Sequence, residues 1–228
     1  MKGKEKALFS SICVLWMIFV LAGSIALPIL FRPFYYLHIK PLHLSEESGY
    51  TVPEIKEAYD DMMDFCVFGK GEFKTGVLPY SEEGKAHFED CAVLFRLDLV
   101  LFALSAVLLV LAYIYVKKKK LHLKAYNHGP GYFAGYFLGF LFLMIGLLCA
   151  LDFDAAFVMF HRIFFPGKTN WIFDWNKDQI IRVLPEQFFM NAGICIALMI
   201  LLGCAALILY DIRRTKKQTP SGNRTFPA

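Results

Sequence analysis

Two histidines in this chain stand apart from the other four. His87 follows Tyr80-Ser-Glu-Glu-Gly-Lys-Ala and precedes Phe88, Glu89 and Asp90; His161 closes the run Asp152-Phe-Asp-Ala-Ala-Phe-Val-Met-Phe-His. Helical spacing puts Asp90, Cys91, Leu94 and Asp98 on the face of His87, and Asp154 and Phe157 on the face of His161. Two such histidines suit acyl transfer, one taking a proton from the attacking group and the other protonating the leaving oxygen. Asp90 is placed to hold the His87 ring in one tautomer. The plainer reading is two interfacial histidines with structural hydrogen bonds. A metal site of His87, Asp90 and His161 is the competing chemistry, but no HExxH or CxxC pattern supports it and no metal is assigned.

Other groups are less specific. Arg96 and Arg162 lie close enough in sequence to steady an oxyanion. Asp98, Asp152 and Asp154 fall at the edge of apolar runs, where charges need partners and mark either function or internal pairing. No GxSxG elbow is present. Cys13, Cys149, Cys195 and Cys204 read as small apolar residues; Cys66 and Cys91 are candidates for a disulfide, or Cys91 for a thiol beside His87. His122 and His128 sit in a basic loop and are expected in solvent, His38 and His43 at an interface.

The elements that carry these residues follow from the apolar pattern. Of 228 residues 57% are hydrophobic and 19% charged, against about 45–50% and 25% in soluble domains. That balance excludes a disordered tail and a small disulfide scaffold, and a net charge of +4 gives no reason to expect nucleic acid. The runs Ala7–Phe31, Leu99–Val116, Gly131–Leu151 and Phe188–Tyr210 carry no charge and are each about long enough to cross a bilayer. They define spans near 7–31, 97–116, 131–151 and 188–210. The first run is longer than the apolar core of a signal peptide, so it reads as a retained anchor despite Ser24-Ile-Ala26. Leu21-Ala-Gly-Ser24 has Ser where a lipidated Cys would stand.

Segments 1–6, 117–130 and 211–228 hold 13 of the 24 Lys and Arg in 38 positions, and segments 32–96 and 152–187 hold 17 of the 20 Asp and Glu. The positive-inside rule then places both termini in the cytoplasm and the two long loops outside. Lys117–Lys120 is chiefly this topology signal, with attraction to anionic lipid as a second reading. The long loops form an extracytoplasmic cap. Thr51 and Pro53 start a helix running to about Phe68, ended by Gly69 and Gly71; Glu72–Tyr80 reads as a short β-hairpin; Ser81 caps a helix running into the second span. The third helix is expected to continue through Asp152 to His161. A turn at Phe164–Gly167, a strand-like Trp171–Asp174, a short helix capped by Asn176 or Asp178, and Pro185 opening the last helix complete the cap. The fold class is thus an all-α membrane protein of four transmembrane helices, with short helices and small β-hairpin elements in the cap. Gly131, Gly135 and Gly139 recur every four residues, a face for close helix packing within a monomer or in a glycine-face dimer.

With the strings around His87 and Phe160-His-Arg-Ile-Phe-Phe165, Trp171-Ile-Phe-Asp174, Asp178 and Leu184-Pro-Glu186, the chain resembles the lipoprotein intramolecular transacylases of Gram-positive bacteria. The family pattern has Glu where Gly84 stands, which here removes a capping box with Ser81. The resemblance implies a diacylglyceryl lipoprotein as substrate, in membrane lipid, and transfer of its sn-2 acyl chain to the N-terminal cysteine amine. His87 and His161 then match the two family histidines, and no cofactor is required. Transfer closes a ring of about eight atoms, so confinement should supply much of the rate. Phe157, Phe160, Phe164, Phe165 and Trp171 are the candidate pocket. A lipid-interface hydrolase using the same histidines, or a membrane scaffold, are the alternatives.

Overall fold

Four long helices, α1 (Gly3–Leu30), α5 (Glu82–Lys118), α6 (Pro130–Leu151) and α8 (Glu186–Gln218), cover the four expected spans, and each is apolar and long enough to cross a bilayer. Three short helices, α2 (Pro33–Ile39), α3 (Leu44–Ser48) and α4 (Val52–Met63), join α1 to α5, and α7 (Phe153–Phe164) lies between α6 and α8. The computed structural model describes residues 1–218, so the end of the expected cytoplasmic tail lies outside the described residues.

Apolar side chains are distributed oppositely in the two halves. The cap has the larger core: Tyr35, Ile55, Tyr59, Phe73 and Phe88 pack with Ile180 and Val183, joined by Ile29 of α1 and Phe188 of α8. In the bundle, α5 and α6 turn Val100, Leu104, Val107, Phe137 and Phe140 outward, a surface suited to hydrocarbon. The bundle's inner contacts rely on small residues. A Cβ on Gly135 of α6 would lie 2.8 Å from the Cys204 backbone oxygen of α8, and one on Gly203 would lie 2.9 Å from Val20. The glycine face of α6 is therefore occupied by α8 of the same chain, the first of the two uses expected for it. At the far end of the bundle His128 is not solvated as expected. Its ring stacks on Tyr132 at 3.9 Å, and Nδ1 lies 2.7 Å from Asp211.

Cap elements begin and end largely where the sequence marks them. The Thr51 N–H donates to Glu54 at 2.8 Å, Pro53 sits in the first turn of α4, and a π turn carries the helix to Phe68 before Gly69 at φ +64°. The expected hairpin over 72–80 is absent. No strand forms among the described residues, and a lone bridge joins Thr75 to Val77. Phe73, Thr75 and Leu78 all turn into the core, and the Thr75 hydroxyl donates to the Leu78 carbonyl, so the loop is held by side chains rather than by a ladder. Trp171–Asp174 likewise forms no strand: a turn at Trp171 and a bend at Ile172 lead into two residues without regular structure. The third helix also breaks where continuity was expected: Asp152 is extended and accepts the Ala155 N–H at 2.9 Å, capping α7 as a separate helix.

The start of α5 ties the two loops together. Ser81 accepts the Gly84 N–H at 3.0 Å, while its own N–H donates to Asp178 at 2.8 Å and its hydroxyl to the same carboxylate at 2.9 Å. Asp178 thereby performs from the second loop the task that a Glu at position 84 performs in a capping box. The absence of a side chain makes room for it, because a Cβ on Gly84 would overlap Asp178 Oδ1. Asp178 also precedes the 3₁₀ turn Gln179–Arg182 without capping it, and the Gln179 N–H donates to the Pro79 carbonyl at 3.0 Å. Asp178→Ala should cost about 1–3 kcal/mol, because the N-cap partner is lost in a buried site. Gly84→Ala should cost a similar amount alone and clearly less in the Asp178→Ala background. Thermal unfolding of the four proteins measures this coupling; simple additivity would show that the two residues do not act together.

Candidate active site

His87 stands almost two turns into α5, just beyond the Asp178 contact, and His161 lies near the end of α7. Both rings are nearly inaccessible, at 5% and 6% exposed, and their centroids are 5.7 Å apart with planes tilted by 32°. His161 Nδ1 is 2.8 Å from the Phe157 carbonyl. A carbonyl only accepts, so Nδ1 carries the hydrogen and Nε2 keeps its lone pair. His87 differs. Its Nε2 lies 3.5 Å from the Cys91 thiol, and its buried Nδ1 has no partner among the described residues. Burial drives the His87 pKa down to about 4, with His161 and Lys168 adding to the fall and Asp90 opposing it. Burial also lowers the His161 pKa, against the bond to Phe157. Both shifts favour the neutral imidazole.

The expected aromatics gather here. Trp171 stacks on His161 at 4.6 Å, Phe157 lies at 4.3 Å, and Phe160 meets the ring edge-on at 5.4 Å. Phe165 touches both histidines, at 5.0 Å from His87 and 5.7 Å from His161. Phe164 rests against Phe160 and is half exposed, so it extends the collar rather than the pocket. Phe173, not among the expected pocket residues, lies 5.5 Å from His87 and stacks on Phe88. It was visible as an aromatic beside Trp171, but its sequence position does not reveal the direction its ring takes.

The charged candidates divide differently from their helical spacing. Asp90 does not hydrogen-bond His87. Its carboxylate takes Lys168 and Asn170, and the Lys168 carbonyl accepts the Trp171 indole N–H at 3.0 Å. Burial works against the Asp90 anion, but those two bonds outweigh it and hold its pKa below the usual carboxylate value. Asp90 therefore anchors the loop that lays Trp171 on His161. Lys168 and Asn170 were not expected, since contacts 78 and 80 residues away have no local signal. Arg96 donates to the Phe65 and Cys66 carbonyls and secures the π turn, away from the imidazoles. Arg162 is exposed on α7. Asp154 hydrogen-bonds Glu186, whose pKa rises because of it. Asp98 is half-buried on α5, below the histidines, and one of its oxygens has no partner among the described residues. Cys66 and Cys91 are free thiols. Among the described residues no three His, Cys, Asp or Glu side chains converge as a metal-ligand set.

The sign of the histidine shifts makes a stability prediction. The unfolded chain protonates His87 near pH 6.5, and the folded protein only near 4. The unfolded state thus binds more protons between these values, and stability should fall as pH drops through that window. Chemical denaturation of wild type and His87→Gln from pH 7 to 4 tests this: the variant should lose less stability on acidification, and equal slopes would contradict a buried neutral His87.

Comparison with known proteins agrees with this architecture. The family model described as lipoprotein intramolecular transacylase Lit matches residues 10–189. The solved structure of the membrane integral lipoprotein intramolecular transacylase Lit from Bacillus cereus is similar at a TM-score of 0.83 and 26% identity, over 96% of this chain and all of the other. Two structures of the same Bacillus cereus protein, with one histidine changed to arginine or to alanine, match at a TM-score of 0.77 and 25% identity. They cover 95% and 94% of this chain and 95% and 96% of their own. No curated protein matches. The helical bundle, its apolar exterior and the extent of the family match lead to one conclusion: the chain belongs to the lipoprotein intramolecular transacylase family, as a multi-pass membrane transferase.

Proposed function

We propose that the protein moves the sn-2 acyl chain of a diacylglyceryl lipoprotein onto the amine of that lipoprotein's N-terminal cysteine. The carrying observation is the pair of buried, facing histidines, one with a free Nε2 and the other with an unpartnered Nδ1. In this reading His161 Nε2 takes the proton from the amine as nitrogen attacks the ester carbonyl. The C–N bond forms, the carbonyl–oxygen bond breaks, and His161 returns the proton to the departing glyceryl oxygen. His87, with the Cys91 thiol donating to Nε2, presents an Nδ1–H to the developing oxyanion. A neutral, desolvated imidazole suits this hydrogen-bond role better than a full proton donation. The aromatic walls narrow the conformations of the eight-membered approach and keep water from competing. The basic residues at the far end of the bundle support an orientation with the cap outside and the site at the outer-leaflet interface.

Mass spectrometry of a diacyl lipopeptide incubated with the protein in lipid discriminates the readings. Transfer leaves the mass unchanged and places one chain on nitrogen, hydrolysis loses a chain, and a scaffold changes nothing. His161→Ala should lower the rate by about 10²–10⁴-fold, as loss of a base does, and His87→Ala by about 10²–10³-fold, as loss of an oxyanion donor does. Near-normal transfer in either folded variant would overturn the assignment. Asp90→Ala should release the 168–171 loop and cost up to about 10²-fold through misplacement of Trp171 over His161. Indole fluorescence should shift in parallel, and a rate loss with unchanged fluorescence would point to direct action on His87 instead.

A further inference from the structure

An apolar pocket shares Cys91 with the surroundings of His87, and the acyl-transfer reading does not yet use it. Its volume is about 120 Å³, and its walls include Pro28 of α1, Met62, Met63 and Cys66 of α4 and the π turn, and Cys91 and Phe95 of α5. Protein cores rarely leave voids much larger than a water molecule. This pocket is half open rather than sealed, but its walls are almost wholly apolar and its volume is near that of a cavity of roughly 150 Å³ that accepts benzene, so it suits a short apolar guest. Its placement narrows the guest. Cys91 belongs both to the cavity wall and to the contact with His87 Nε2, so a small thiol is what separates the void from the imidazole. The wall follows α5 from Phe88 to Phe95, about 10 Å of helix rise leading from the histidines toward the bundle.

We propose that this cavity seats the migrating acyl chain of the lipoprotein substrate, an inference that rests on the acyl-transfer reading. The carbonyl of that chain must lie between His87 and His161, and its first methylenes need an apolar exit. Trp171, Phe157 and Phe165 crowd the His161 side. The chain therefore runs past Cys91 along α5, with its first few methylenes in the pocket, and the second chain stays outside it.

Synthetic diacylglyceryl lipopeptides that carry a six-carbon chain ending in a diazirine at either the sn-2 or the sn-1 position test this with the wild-type protein in nanodiscs. The sn-2 probe should label Met62, Met63 or Phe95, and the sn-1 probe should not. Equal labelling by both probes, by a diazirine phospholipid, or labelling confined to the open groove at Gly23, Phe31 and Phe102 would overturn the proposal. A filling variant, Cys66→Phe, gives a second readout. Its kcat/KM ratio for a six-carbon over a two-carbon sn-2 chain should fall at least tenfold relative to wild type, and an unchanged ratio in folded protein would overturn the proposal. The two readings fail separately: absence of N-acyl product from wild type refutes the reaction, while cavity labelling by the sn-2 probe does not depend on turnover.

Discussion

The first turn of α5 is held by a carboxylate that does not belong to it. Every helix begins with N–H groups that need acceptors, and the usual local solution here would be a capping box. With Gly84 at the position of the acidic partner, Asp178 comes from the other loop to accept the Ser81 N–H and hydroxyl. Local satisfaction has become a long-range tie. It joins the segment that leads into His87 to the segment that follows Trp171 and Phe173. The Gln179 N–H to the Pro79 carbonyl and the Tyr35 hydroxyl to the Val183 carbonyl repeat the joint within the same core. The relative position of the two histidines depends on this joint, because His87 belongs to the first loop's helix and His161 to the second loop.

The cap behaves as a small soluble core set on a bundle whose surface is apolar. Water removal holds the cap together, whereas in lipid the bundle relies on close backbone approach at Gly135 and Gly203. The histidines lie where these regimes meet. Their neutrality follows from that location: desolvation is the largest influence on each, and it outweighs the nearby Asp90 at His87. A charged imidazole would have disturbed the core that positions it.

The sequence made the four spans, the family and the two histidines readable, because apolar run length and residues one helical turn apart are local properties. Of the pairs that helical spacing offered His87, the contact at i+4 with Cys91 is realised, and at His161 the i−4 backbone carbonyl of Phe157 is used. The i+3 pair of His87 with Asp90 is not, since Lys168 offers a full charge and Asn170 an amide, and Asp90 takes both. The Asp152 break follows the same logic: an Asp at the end of an apolar run caps the next helix more readily than it continues the last. What could not be read were contacts whose partners are distant in sequence: Asp178 with Ser81, Lys168 with Asp90, and the ring of Phe173 on His87. The hairpin failed for a related reason. Alternation around Gly76 suggests two strands, but the arms are too short to hold a ladder and the core claims Phe73, Thr75 and Leu78.

Enclosure is therefore the property that unites fold and chemistry. Closing a medium ring between an amine and an ester is limited by how seldom the two ends meet, and no acid or base raises that frequency. A rigid aromatic wall does, because each ring has few rotamers and fills much volume. Trp171 is the most constrained of these rings, stacked on His161 and tied by its indole N–H to a backbone carbonyl whose own side chain is anchored by Asp90. The carboxylate that spacing would assign to orienting His87 thus serves instead to hold the loop that carries Trp171. In the proposed reaction, proton transfer is left to His161, whose tautomer is already set by the carbonyl one turn behind it.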